Sequence, residues 1–430
     1  MTLFYRAWYK FLNAATRFEK QLQWFRSFQF ATREEIYEFQ LQALRSLFDH
    51  CYRNVPFYRK SWRACDFNPT SFRELESLDE VPVTTRSDLR ANFPRNTCAR
   101  NVTVLRRIRK NSSGTTGAPL EFYNDRGTMG VRLASRFLHN EWLGFRPTDK
   151  WIRITHHQAP YRTLVNETQV STLAATQNRA PNLIQYLKRS DARGIVAFPS
   201  VLKILSGALA SGRQSLLPSI RAVVSTGETL LLSERAKLSM AFGVDVYDRY
   251  SVQEVPGEWA QQCSPNRGIH WNPAVVFLEV RRGKEVAKTG EMGRVLLTDL
   301  WNRVMPLVRY EVGDEVKAGR SCSCGRTWGT ILGPIVRSQE HFTLKNGQPM
   351  AVADLAEKVV QEFGGELVHF QFIETGTSSY NVRIIVAPDI KDFDRAALKN
   401  HLSRYLRDVV IETADPVKLP SGKSPIFVKV

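Results

Sequence analysis

Residues 111–119 read Asn-Ser-Ser-Gly-Thr-Thr-Gly-Ala-Pro. Four hydroxyl side chains (Ser112, Ser113, Thr115, Thr116) are interspersed with two glycines, Gly114 and Gly117, between strand-like runs that begin at Val102 and Leu120. Glycine lets the backbone turn sharply, so that successive N–H groups converge on an anion. The hydroxyls add donors, and Arg109 and Lys110 add positive charge. The stretch reads as a phosphate cradle. It is not the usual nucleotide P-loop, because no Gly-Lys-Ser/Thr follows and no helix opens there. A polar hairpin turn has the same composition and stands beside this reading.

Outward from the loop, strand-like runs alternate with helical ones from 102 to about 330. Trp151-Ile-Arg-Ile-Thr and Gly194-Ile-Val-Ala-Phe are candidate buried strands, the second feeding a helix capped by Ser200 and ending near Gly212. Arg221-Ala-Val-Val-Ser leads into a helix capped by Ser233 and closed by Gly243. That alternation predicts an α/β fold. Val275 to Val280 and Arg294 to Thr298 read as more antiparallel, which makes the sheets mixed. On the other side of the loop, Glu34 to His50 has a helical pattern that Val55-Pro-Phe-Tyr breaks. After Arg337 the order becomes strand, helix (351–363), two strands (366–374, 380–387), helix (393–407) and strand, which suits a small α+β domain. The expected organisation is a large N-terminal domain, 1–337, and a small C-terminal domain, 338–430.

Composition bounds the function. A chain of 430 residues, 43% hydrophobic and 24% charged, has the make-up of an ordinary soluble globular protein. No apolar run reaches the length of a membrane span, and Arg6 and Lys10 interrupt the N-terminal segment, which excludes a secretory signal. Six scattered cysteines make no disulfide scaffold and fit a reducing cytoplasm. The net charge of +18 suits anionic small molecules or a membrane surface. Nucleic acid is not indicated, since the basic residues are scattered and no recognition motif appears. Residues 1–35 interleave aromatics with Arg6, Lys10, Arg17, Lys20 and Arg26. Such a segment suits peripheral contact with the inner face of a membrane, but a helix packing its aromatic face on the body is the stronger reading.

Four further constellations carry chemistry. Ser225-Thr226-Gly227-Glu228 follows a buried strand, where α/β sheets place ligand loops. Tyr250 and Glu254 set an aromatic face and a carboxylate four residues apart, suited to stacking a base and holding Mg²⁺. Asp314, beside Gly313, suits ribose hydroxyls, and Lys423 follows Ser421-Gly422 on a turn near the C-terminus. Cys263, His270, Cys322 and Cys324 supply four ligands for one structural Zn²⁺, although ordinary reduced thiols satisfy the same spacing.

In order, these motifs resemble the adenylate-forming superfamily, and within it the phenylacetate–coenzyme A ligase branch with its capsule-biosynthesis relatives. Asn54-Val-Pro-Phe-Tyr58, Val81-Pro-Val-Thr-Thr85, Gly268-Ile-His270, Glu291-Met-Gly-Arg, Met305-Pro-Leu-Val-Arg-Tyr and Cys322-Ser-Cys-Gly-Arg326 match that branch in sequence order. The resemblance implies a large domain that binds ATP and a carboxylic acid, and a mobile C-terminal lid. It implies phosphate contacts from Ser112 through Gly117, with Thr115 and Thr116 foremost, and a nucleotide loop at Thr226-Gly227-Glu228. Tyr250 stacks on adenine in this scheme, Glu254 binds Mg²⁺, Asp314 holds ribose with help from Arg337, and Lys423 bridges carboxylate and α-phosphate. An acyl-adenylate forms first. The acyl group then passes to coenzyme A or, in the alternative, to a sugar, amine or carrier in envelope polysaccharide assembly; a non-catalytic relative is the remaining alternative. Two departures stand out. Ser251 replaces the glycine that follows the family's tyrosine, and Val336-Arg337-Ser338-Gln339-Glu340 replaces the Gly-Arg-x-Asp-Asp hinge. His156-His157 lies near the expected start of the acyl pocket and has no assigned role.

Overall fold

The computed structural model describes residues 3–112, 120–155, 161–163, 166–211, 217–264, 267–376 and 378–429. The chain forms two compact units, each built from two stretches of sequence. The first holds Met1–Pro147 and Tyr250–Leu332, the second Thr148–Arg249 and Gly333–Val430.

The first unit opens with four helices, Leu3–Thr16, Phe18–Phe28, Arg33–Asn54 and Pro56–Ala64. The third is fixed at its start by a reciprocal cap: Thr32 accepts from the Glu35 amide, and the Glu35 carboxylate accepts from the Thr32 amide. It runs four residues past the expected end at His50 and stops where Pro56 begins the next helix. Leu41, Leu44, Leu47, Phe48 and Cys51 line its buried face at helical spacing. Phe48 meets Phe72 with ring centroids 5.0 Å apart, and Trp62 meets Phe67 at 5.2 Å. In the second helix Phe18, Leu22, Phe25 and Phe28 turn inward, and Phe18 packs 5.2 Å from Phe137 of the helix Met129–Trp142. The packing reading therefore accounts for these aromatics, while Phe11 and Phe30 stay exposed.

Strand Arg107–Asn111 pairs antiparallel with Glu121–Asp125, so the hydroxyl-rich stretch joins two arms of a hairpin. Residues 104–106 form a short 3₁₀ turn instead of the start of a strand. The other strands of this unit pair antiparallel, apart from an isolated parallel bridge between Thr84 and Tyr310: Val276–Arg282 pairs with Met292–Asp299, which pairs with Tyr310–Ala318, and Ile269–Trp271 pairs with Val255–Gln262.

The second unit contains the parallel sheet that the alternation predicts. Its strands run in the order Glu167–Ser171, Trp151–Thr155, Gly194–Ala197, Ala222–Thr226, and the segment from Val246 to Arg249. Helices Ala180–Arg189, Pro199–Ser211 and Leu232–Phe242 connect them, and Leu183, Leu202, Leu205 and Leu238 close a core over Ile154, Ile195 and Val223. Two expected caps are corrected. Ser200 and Ser233 lie inside the first turns of their helices, which begin one residue earlier, and both side chains are taken by glutamates, Glu228 and Glu357. Gly243 does close its helix, at φ +65°.

The C-terminal part of this unit carries a four-stranded sheet in the order Asp408–Thr413, Ser379–Val386, Leu367–Gly376, Phe427–Lys429. The central pair is antiparallel and the outer pairs are parallel. Helices Val352–Phe363 and Arg395–Leu402 cover it through Leu355, Val359, Leu398 and Leu402. The second helix is shorter than the expected 393–407, because Asp394 caps it and the chain turns at Ser403.

Candidate active site and cysteine–histidine cluster

Ser112 is the member of the hydroxyl-rich stretch that the described residues include; Ser113, Gly114, Thr115, Thr116 and Gly117 lie outside them. It is buried, and its Oγ accepts from Arg86 Nη2 at 2.6 Å and from the Leu120 amide at 2.8 Å. Ser112 thus ties the two arms of the hairpin together at the mouth of the loop. Arg109, expected to add charge there, is paired with Glu121 across the hairpin.

In the same unit, Tyr250 is bonded to Asp314, and Tyr310 to Glu254. The Tyr250 hydroxyl donates to Asp314 Oδ2 at 2.7 Å, and its ring meets Trp259 edge-on at 5.1 Å. The Tyr310 hydroxyl donates to Glu254 Oε1 at 3.4 Å. All four polar residues are buried. Sequence reasoning quoted Tyr310 without giving it a role; its signal was its place beside Arg309. That arginine holds φ +45°, buries its guanidinium, and donates from Nε and Nη2 to the two oxygens of Glu279 at 3.0 and 2.8 Å. The bidentate pair fixes the backbone from which Tyr310 and Asp314 project. Glu254 offers a hard carboxylate oxygen of the kind Mg²⁺ takes.

In the second unit, strand Ala222–Thr226 ends in Gly227 at φ +79°, a conformation that favours glycine. A Cβ there would lie 3.0 Å from the Phe198 ring and 3.5 Å from Lys423 Cε. The C-terminal lysine therefore sits against the Thr-Gly-Glu loop, with its Nζ 5.8 Å from the Phe198 ring centroid. Its turn closes through Gly422 N to Leu419 O at 2.8 Å, with Gly422 at φ +74°. Glu228 accepts from the Ser200 amide and hydroxyl, each at 3.0 Å, and from the Ser424 amide at 2.6 Å. Phe198, Ser200 and Ser424 were not foreseen, since nothing in a lone Phe or Ser marks such contacts. Arg337 ends the strand Thr330–Arg337 in this unit. His156 and His157 lie outside the described residues.

Asp248, at the end of the same sheet, has its carboxyl pushed up to about 6 by burial, with Arg235 acting in the opposite direction. Nearby on the chain, Glu234 is bonded to Lys203 at 2.7 Å, both side chains buried.

The four predicted zinc ligands converge in the first unit, their ligand atoms all within 4.8 Å of one another. Cys263 Sγ lies 3.6 Å from Cys322 Sγ, and Cys324 Sγ lies 3.4 Å from His270 Nε2. A tetrahedral zinc with Zn–S of about 2.3 Å and Zn–N of about 2.0 Å spaces its ligands roughly 3.3–3.8 Å apart, so both separations fit. His270 Nδ1 lies 3.0 Å from the Trp328 carbonyl. Donation there leaves the Nε2 lone pair facing the sulfurs, the usual outer support of a zinc-binding imidazole. Burial holds His270 down at about 4, which keeps it neutral, and burial together with the neighbouring sulfurs raises Cys263 to about 12. Three thiols and an imidazole at this spacing offer the soft and borderline donors that a divalent zinc ion takes.

No family model matches the chain. It is 27% identical to phenylacetate-coenzyme A ligase of Escherichia coli K12, over 66% of this chain and 67% of the relative. It is 24% identical to phenylacetate-coenzyme A ligase of Thermus thermophilus, over 91% of this chain and 94% of the relative. Among solved structures, a 2-hydroxyisobutyryl-CoA ligase in the postadenylation state, in complex with 2-HIB-AMP, shares the fold with a TM-score of 0.77 at 17% identity, over 93% and 90% of the two chains. The fold and the ordered motifs define an adenylate-forming ligase. Within that superfamily the chain is most like phenylacetate–coenzyme A ligases among the relatives named here.

Proposed function

We propose that the protein activates a small carboxylic acid with ATP as an acyl-adenylate, releasing pyrophosphate, and then transfers the acyl group to coenzyme A. The observation that carries this reading is the position of Lys423, brought from the C-terminal turn to the Thr226-Gly227-Glu228 loop at the end of a parallel strand. Chemistry at that point needs a cation as negative charge gathers between the acid's carboxylate and the α-phosphate, and an ammonium on a closing turn supplies it. Gly227 takes a φ of +79° that favours glycine and lies close under the Phe198 ring, against which the lysine also rests.

The remaining roles follow from the chemistry of each group. The Ser112–Gly117 stretch holds the phosphates, Tyr250 presents its ring to adenine, and Asp314 takes the ribose hydroxyls with Arg337 in support. Glu254 would hold Mg²⁺, which supplies charge neutralisation for the departing pyrophosphate. The Tyr250–Asp314 hydrogen bond orients base and ribose contacts together before the nucleotide arrives. Residues 338–430 act as a lid: after adenylation Lys423 leaves and the acceptor thiol enters, a hinge movement of ordinary kind. Cys263, His270, Cys322 and Cys324 hold one structural Zn²⁺ that takes no part in the chemistry, because four protein ligands close its coordination. The scattered cysteines suit a reducing compartment.

The test is pyrophosphate release measured across a panel of carboxylic acids, with and without coenzyme A. Release that depends on one acid class, with a thioester appearing only when coenzyme A is present, is expected. Release without any thioester would move the acceptor to a sugar, amine or carrier, and no release with any acid would remove the activity itself.

A further inference from the structure

The loop that carries Lys423 is held near its start by Lys418 Nζ, which donates to the Thr172 carbonyl at 3.3 Å, and by two further anchors of different character. At its base, the fully buried Gln371 of strand Leu367–Gly376 bonds both ends of the loop. Gln371 Oε1 accepts from the Val417 amide at 2.7 Å, and Nε2 donates to the carbonyls of Val417 at 3.0 Å and Pro425 at 2.9 Å. These bonds lie within the C-terminal sheet region and move with it. At its tip, the Ser424 amide donates to Glu228 Oε1 at 2.6 Å. Glu228 belongs to the other stretch of this unit, after strand Ala222–Thr226, and is itself oriented by the amide and hydroxyl of Ser200 in the first turn of the helix Pro199–Ser211. Its carboxylate therefore has one oxygen on Ser200 N and the other shared by Ser200 Oγ and Ser424 N.

From this we infer that Glu228 is a positioning residue: it catches the Lys423 turn by the backbone of the next residue and sets the lysine against Gly227 for adenylation. The inference rests on the proposed role of Lys423. It gives Glu228 a task other than nucleotide contact, since the bonds it makes go to protein donors. A backbone amide as the partner makes the catch independent of the side chain at 424. A carboxylate as the acceptor makes it charge-assisted, and such bonds are worth roughly ten- to a hundred-fold in an equilibrium. The Gln371 bonds keep the loop in shape whether or not the catch is made, so loss of Glu228 frees the turn without unfolding it. The contact belongs to the state in which Lys423 faces Gly227, and it breaks when the lysine leaves. It therefore favours the first half-reaction and does not assist the second.

The experiment compares the parent with Glu228→Gln, the milder Ser200→Ala, Lys423→Ala, and the double variant Glu228→Gln/Lys423→Ala, in two half-reactions and in amide hydrogen exchange. Glu228→Gln is expected to lower the turnover of pyrophosphate release by roughly ten- to a hundred-fold, with KM for ATP unchanged. It should leave thioester formation from supplied acyl-adenylate and coenzyme A at the parent rate. In the Lys423→Ala background it should cause no additional loss, because it acts through that lysine. Ser200→Ala should show the same pattern more weakly. Exchange of the peptide spanning 419–426 should quicken in Glu228→Gln while peptides over the Gln371 strand stay as in the parent. A rise in KM for ATP, a further loss in the double variant, or an equal loss in both half-reactions would overturn the assignment. So would unchanged exchange at 419–426. The exchange result stands without catalysis: if the parent activates no acid, the functional reading fails, yet the catch is still decided by the amide of Ser424.

Discussion

The cysteine–histidine cluster and the Lys423 turn are both small polar assemblies near glycines, yet they are built for opposite ends. The cluster draws its ligands from residues 263–270 and 322–324, next to the paired strands Val255–Gln262 and Ile269–Trp271. His270 is locked from behind by the Trp328 carbonyl and flanked by Trp142, whose ring lies 5.7 Å away. The Trp328 indole in turn donates to Phe28 O at 3.0 Å, and Thr327 N bonds Gln29 O at 3.1 Å, so the cluster also fastens the helix Phe18–Phe28. The lysine turn has no such wall. It is closed by backbone bonds and held at Ser424 by one carboxylate and at Lys418 by the Thr172 carbonyl. The difference teaches that packed rings and backbone bonds behind a polar group suit a fixed assembly, and that a carboxylate–amide contact on a turn suits one that opens and closes.

The largest effect expected is on chemistry at the reversible site. Lys423→Ala should slow pyrophosphate release by about 10²–10³-fold, the usual result of removing one preorganised electrostatic group. It should still convert a supplied acyl-adenylate to thioester. Equal loss in both assays would make the turn as permanent as the cluster and erase the contrast.

At the permanent site the effect is on stability. Elemental analysis should find one zinc per chain, and Cys324→Ser should lose it. Ligand occupancy at a hundred times Kd contributes about 2.7 kcal/mol, and each kcal/mol moves the melting midpoint of a domain this size by roughly 2–4 °C. A fall of about 5–10 °C is therefore expected, with exchange quickening first over residues 18–31. Zinc-free protein with the parent's midpoint would reduce the cluster to reduced thiols.

Much of this was legible in the sequence, for different reasons in different places. The parallel strands at Trp151, Gly194 and Ala222 are short apolar runs bounded by breakers, and such runs have few alternatives. The convergence of Cys263, His270, Cys322 and Cys324 was readable because cysteine and histidine are rare and chemically specific. The motif order singled out Lys423 as a candidate, but not the Phe198 ring and Ser424 amide contacts around its turn. Contacts that depend on two distant segments meeting were not legible: Ser200 and Ser233 look like helix caps locally, and only the approach of Glu228 and Glu357 reassigns their hydroxyls. Arg309 was quoted within a motif, but its pairing with Glu279, thirty residues away in sequence, leaves no local trace.

An effect of similar size concerns Asp248, a buried acid in the lysine-bearing unit. Its carboxyl stands at about 6, above the ordinary 3.8, because burial disfavours the charged form. Below about pH 4 both folded and unfolded chains hold the proton and no cost arises. As pH rises through the interval to 6 the unfolded chain releases its proton first, stability falls, and the full cost is present above 6. A rise of about two units corresponds to on the order of 3 kcal/mol. Asp248→Asn should therefore raise the urea midpoint at pH 8 and leave it unchanged at pH 4. A gain of equal size at both pH values would mean that packing, not charge, sets the cost.

The central claim is that the acid's carboxylate oxygen attacks the α-phosphate of ATP. It is tested most directly by supplying the active acid with its carboxyl group labelled with ¹⁸O and following the label through one turnover with coenzyme A. The account predicts AMP carrying one ¹⁸O in its phosphate, pyrophosphate without label, and no such transfer with Lys423→Ala. Label in inorganic phosphate, with ADP as the nucleotide product, would place the attack on the γ-phosphate and contradict it.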